Sequence, residues 1–130
     1  MIQVETLELQ GQDERGSNYN WDCSRKGNFI LCYRKAGTTS GQHYHEGKNA
    51  NKNPEIMFLL EGECWMHWSH LEQRKIESIR VKAPARIEIP SMLWHELEAI
   101  SDCTFIELNS IADVREDSIR VWREDFVQGK

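Results

Sequence analysis

Apolar side chains between Ile2 and Leu9 recur at Ile2, Val4, Leu7 and Leu9, close to every second position with one slip. That period sets one face of an extended strand against a core and leaves the other in solvent. The same alternation runs through Cys64 to Trp68, Ile76 to Val81, Arg86 to Ile89 and Thr104 to Leu108. Asn28 to Tyr33 is rich in β-formers, and Ile56 to Leu60 is a continuous apolar run closed by Glu61, Gly62 and Glu63. Short apolar segments with turn residues roughly every ten positions predict an all-β sandwich or barrel.

No segment sustains a long helical period. The best helix candidate is Asp113 to Phe126, where Val114, Ile119, Val121, Trp122 and Phe126 are unevenly spaced, and Ile119 to Trp122 reads equally as a terminal strand. Gln10 to Ser17 and the Asn- and Lys-rich Glu46 to Pro54 read as loops. With no repeat, low-complexity tract or linker, the chain is expected to be one domain over 1–130. Its core would span about 28–110, with an N-terminal strand and a C-terminal tail packed on it.

Charge narrows the partners. A formal net charge of −5 and no basic patch argue against a nucleic-acid partner, which needs cations to displace its counterions. No apolar run is long enough for a bilayer and the first residues are not a signal peptide, so a cytoplasmic protein without membrane contact is expected. Cys23, Cys32, Cys64 and Cys103 are scattered without a paired motif. They read as reduced, buried small hydrophobes rather than as a zinc site.

The chemistry concentrates on four residues. His43 and His45 stand two apart, so an extended strand points both imidazoles to one face. Glu55 heads the strand that ends at Gly62, and His95 follows Pro90 at the start of another strand. Three imidazoles and a carboxylate suit a divalent transition metal (Zn, Fe, Ni, Mn or Co) without choosing among them.

These positions carry a resemblance. Gly37, His43, His45, Glu55 and Gly62 are similar to the first motif of the cupin superfamily, and Pro90 and His95 to part of the second. Pro84, Met92 and Ala99 stand where that second motif has Gly, Gly and Asn. The gap between His45 and Glu55 is longer than usual, so residues 46–54 read as an insertion. The resemblance implies an RmlC-like double-stranded β-helix, the jelly-roll barrel, with a metal on His43, His45, Glu55 and His95.

Asp13, Arg15 and Gly16 resemble an element of nucleotide-sugar epimerase and ketoisomerase cupins. The run from Gly41 to Lys48 resembles the cupin domains of capsular polysaccharide enzymes. Ser40 stands where those families usually have Arg, so a phosphate-contacting cation is missing from that place. The resemblance favours a sugar or nucleotide-sugar isomerase or epimerase, with Tyr44 or Glu107 as the base, or His43 itself in the absence of metal. An iron-dependent dioxygenase uses the same ligand set, and a non-catalytic cupin binding a small molecule is the third reading. No helix-turn-helix accompanies the domain, which argues against a regulator.

Parity sends Cys64, Met66 and Trp68 inward and Trp65 and His67 away from the cavity; His67 and His70 lie outside the ligand pattern. An outward Trp65, with the resemblance, implies a homodimer.

Overall fold

The computed structural model describes residues 1–129. One sheet runs in the order β1 (Gln3–Thr6), β9 (Ala85–Ile89), β6 (Glu55–Glu61), β11 (Cys103–Glu107) and β4 (Ile30–Arg34). The other runs β12 (Ile119–Arg120), β5 (Thr39–Tyr44), β10 (Leu93–Ala99), β7 (Glu63–His70) and β8 (Glu77–Lys82). Neighbouring strands pair antiparallel throughout. The sheets face each other across a core that includes Met57, Leu59, Cys64, Met66, Ile87, Ile89, Leu97 and Phe105. Cys64 and Met66 are positions that the two-residue period sent inward, and burying this set drives the closure.

Three sequence expectations change. Gln10 to Ser17 is no loop: β2 (Glu8–Asp13) and β3 (Gly16–Asn20) pair as a hairpin. Its faces are exposed, so neither strand needs the apolar alternation that would have betrayed it. The tail divides into α1 (Ile111–Glu116), β12 and α2 (Arg123–Val127), which explains its uneven apolar spacing. Cys23 is exposed, while Cys32, Cys64 and Cys103 are buried and all four thiols are free.

The tail is tied down at its far end. Phe126 is 1% exposed and stacks on the buried Trp94 ring at 4.9 Å between centroids. Trp94 Nε1–H donates to the Val121 carbonyl at 2.9 Å. Outside the first sheet, Trp21 stacks on Phe58 at 4.6 Å and Leu7 joins the same small cluster. No helix among the described residues is long and apolar enough to cross a membrane.

Candidate active site

Between the sheets lies a cavity of about 270 Å³, lined by residues of both. Its polar wall includes His43, Glu55, His95 and Glu107, set among Cys32, Met57, Met66, Leu97 and Phe105. A β-bulge prepares this wall. Gly41 and Gln42 both have positive φ, 97° and 58°, and the β5–β10 register shifts between His95 and Glu96. The extra residue lets Ser40 and His43, three apart, both face the cavity. Only glycine suits position 41, because a Cβ there would come within 3.0 Å of the His95 carbonyl oxygen.

The structure brings His43, His45, Glu55 and His95 together, with one ligand atom from each lying within 4.8 Å of all the others. The His45 and His95 rings are oriented from behind. His45 Nδ1–H donates to the Asp117 carbonyl at 2.5 Å, and His95 Nδ1–H to the Leu93 carbonyl at 3.0 Å. A carbonyl can only accept, so each Nδ1 carries a proton and each Nε2 is the ring nitrogen turned toward the cluster. Both Nε2 atoms converge on one carboxylate oxygen, Glu55 Oε2, at 2.8 and 3.3 Å. His43 lies 4.7 Å from both other rings, centroid to centroid. Burial, aided by nearby His95, pushes His43 down to about 2, so its ring is neutral.

Were all three rings neutral, the Nε2 lone pairs and the carboxylate could not hydrogen-bond one another. Their convergence is relieved by a cation between them, or by a proton that turns an imidazole into imidazolium. The donor set and its backbone-anchored rings fit a divalent transition ion, whose histidine ligands are held in this way.

Two contributors carry no motif. Lys52, from the stretch read as a loop insertion, is 1% exposed and places Nζ 3.2 Å from Glu55 Oε1. A short 3-10 turn, Ala50–Lys52, delivers it, capped by the Asn49 side chain. Asn49 and Asn51 both donate to Asp113, and Arg25 holds the Asn51 and Pro54 carbonyls. Asp117, 2% exposed, is the second. Its carboxylate accepts the backbone N–H groups of Glu46, Gly47 and Asn49 at 2.8, 3.1 and 3.0 Å, while its carbonyl holds His45. Insertion and tail are thus part of the site.

Burial alone would raise the Glu55 carboxyl, but the contacts with His45 and His95 and the charge of Lys52 outweigh it and hold the group well below its ordinary value. Burial, with the neighbouring Glu55 charge, holds the Glu107 carboxyl above the usual range, outweighing the lowering charges of Lys52 and Arg34. Of the two base candidates, Glu107 lines the cavity, whereas Tyr44 sits between two inward histidines and is not among the lining residues. Alternation turns the Tyr44 side chain from the histidines' face. His67 takes the opposite face, as its parity implied, and is bonded to Ser78 Oγ at 2.6 Å and Glu98 Oε1 at 2.8 Å.

The polysaccharide biosynthesis C-terminal domain family matches residues 11–115. The chain belongs to this family. No curated protein gives a sequence match. Among solved structures, this family member is similar to a 3,4-ketoisomerase from Helicobacter canadensis, at 16% identity and a TM-score of 0.69 over 98% of this chain and 96% of that one. It is likewise similar to QdtA, a sugar 3,4-ketoisomerase from Thermoanaerobacterium thermosaccharolyticum solved with TDP, at 13% identity and 0.70 over 98% and 93%. A dTDP-4-dehydrorhamnose 3,5-epimerase from Sulfolobus tokodaii matches at 14% and 0.68 over 92% and 76%. These likenesses show the fold: an RmlC-like, cupin-type jelly roll.

Proposed function

We propose that the chain is an isomerase or epimerase of a nucleotide-linked keto-sugar, with a divalent metal held by His43, His45, Glu55 and His95. One observation carries the reading: the Nε2 atoms of His45 and His95 converge on Glu55 in the cavity that also presents a raised carboxyl, Glu107. The ketoisomerases and epimerases of the same fold support the substrate class.

When bound, the ion supplies Lewis-acid polarisation of a substrate oxygen. Asp117 and Leu93 keep the His45 and His95 rings aimed at it, and Lys52 fixes the second oxygen of Glu55. Glu107, as carboxylate, takes the proton from the carbon beside the keto group, and the C–H electron pair moves into the enediolate. For ketoisomerisation, the resulting Glu107 carboxylic acid returns the proton to the neighbouring carbon while the proton of the adjacent hydroxyl passes to the former keto oxygen; for epimerisation, water protonates the opposite face of the same carbon and Glu107 gives its proton to solvent. A raised carboxyl is matched to both halves of that cycle. The apolar walls, Met57, Met66, Leu97 and Phe105, limit water around the enediolate. A homodimer belongs to the same proposal and is tested by light scattering.

The test is proton exchange. Zinc- or manganese-loaded protein, incubated in D₂O with TDP-4-keto-6-deoxyglucose and related keto-sugar nucleotides, is expected to incorporate deuterium beside the keto group, and Glu107→Gln to abolish it. No exchange with any such substrate contradicts the reading. Oxygen uptake by an iron-loaded protein would replace it with a dioxygenase.

A further inference from the structure

The outer face of the sheet that carries β7, β8 and β10 holds a second cluster of chemically active side chains, away from the cavity. His67 on β7 stands directly opposite Ser78 on β8, and Trp65 opposite Arg80, so the four share that face. His67 Nδ1 lies 2.6 Å from Ser78 Oγ, and Nε2 lies 2.8 Å from Glu98 Oε1 on β10. The His67 side chain is 9% exposed, with the Trp65 ring stacked on it at 17° and 6.3 Å between centroids. Ser78 is exposed on the edge strand of the sheet, approachable along its free side.

The roles follow from what each group can do. An ionised carboxylate only accepts, so Glu98 draws the proton of the neutral imidazole to Nε2. Nδ1 is left with the lone pair, and Ser78 Oγ–H donates to it. A hydroxyl on an imidazole whose far nitrogen is held by a carboxylate is the arrangement of nucleophile, base and orienting acid, here with the two ring nitrogens exchanged. Trp65 fixes the imidazole from one side, while Ser78 stays open to solvent. Arg80, two residues from Ser78 on the same face, lies 6.0 Å over the Trp65 ring and brings positive charge beside the hydroxyl. The proposed keto-sugar chemistry uses none of these residues.

We infer that Ser78, His67 and Glu98 form a second, hydrolytic site that cleaves small esters with good leaving groups. Ser78 Oγ bonds to the acyl carbon as its proton passes to His67 Nδ1. The bond to the leaving oxygen breaks, and that oxygen takes the proton from Nδ1. Water then gives a proton to the same nitrogen and adds to the acyl carbon; the acyl–Oγ bond breaks and Ser78 recovers its proton. Each turnover consumes one ester and one water. Glu98 is a positioning residue that sets the tautomer, and the Arg80 charge favours the oxyanion. A sheet face encloses no substrate, so the site selects for small size and reactivity. It needs neither metal nor the isomerase reading.

The test is p-nitrophenyl acetate hydrolysis by the full chain in EDTA, with fluorophosphonate labelling located by peptide mass mapping. Label is expected on Ser78, and Ser78→Ala and His67→Gln should each lower hydrolysis about 100-fold. Ser78→Ala removes one exposed hydroxyl; unchanged melting and unchanged deuterium exchange separate its loss from unfolding and from the keto-sugar site. Imidazole nitrogen NMR should find neutral His67 as the Nε2–H tautomer. Glu98→Ala should turn it into a mixture of tautomers and slow hydrolysis. Label elsewhere or nowhere, native-rate hydrolysis in Ser78→Ala, or the Nδ1–H tautomer overturns the site. Hydrolysis that disappears in EDTA belongs to the metal cluster and overturns it as well.

Discussion

Asp117→Asn is the most informative single change outside the cavity. The native carboxylate accepts three backbone N–H groups, two on Oδ2 from Gly47 and Asn49 and one on Oδ1 from Glu46. In the amide, the best flip keeps the carbonyl oxygen on Gly47 and Asn49 and turns the NH₂ group toward the Glu46 N–H. One charge-assisted bond is lost, two become neutral, and a buried donor faces another donor. Hydrogen bonds to charged groups contribute about 1.5–3 kcal/mol each, so the variant should lose about 2–4 kcal/mol of stability. Urea denaturation of metal-free protein measures this.

The same change loosens the Asp117 carbonyl that keeps the proton on His45 Nδ1. Zinc affinity, measured by competition with a chelator, should fall about 10- to 100-fold. Acid adds a signed check. Burial alone would raise the Asp117 carboxyl, but the N–H groups of Asn49, Glu46 and Gly47 hold it below its ordinary value of 3.8. Its contribution is therefore complete above about pH 3.8 and lost as pH falls through the lower folded value. The gap between native protein and variant should close on acidification. Unchanged stability together with unchanged zinc affinity in Asp117→Asn refutes the linkage between tail, loop and histidine.

Glu107→Gln should lower proton exchange by about 100- to 10,000-fold with metal content unchanged, and loss of metal instead would make Glu107 a ligand. Because its carboxyl is held above the ordinary 4.5, native stability should decline as pH rises from 4.5 through that raised value, and the glutamine variant should lack this slope in pH-dependent melting. Over the same range the native exchange rate should rise with pH as the base ionises. Lys52→Met breaks a buried ion pair and should destabilise metal-free protein by about 3–5 kcal/mol, with partial recovery on zinc loading as Glu55 regains a cation. Equal melting of native protein and Lys52→Met in EDTA refutes that role.

The parts legible in the sequence are those governed by local period. Alternation placed Cys64, Met66 and Trp68 inside, and the two-residue offset placed His43 and His45 on one face. Glu55 was legible as the head of a strand, despite the nine residues, 46–54, that precede it. What escaped depends on contacts distant in the chain. Lys52 sits in an Asn- and Lys-rich stretch whose composition signals solvent, and its burial follows only from Arg25 and Asp113 gripping the turn that carries it. Asp117 clamps residues about seventy positions earlier, so no spacing rule reaches it. The bulge at Gly41 explains how Ser40, out of phase with His43 on a regular strand, still faces the cavity.

The most direct measurement is elemental analysis of protein purified without added metal, alongside His43→Ala and His95→Ala. The account predicts one divalent transition ion per chain in the native protein and a sharp fall in both variants. No metal in the native protein, with no uptake of zinc or manganese on titration, would contradict it.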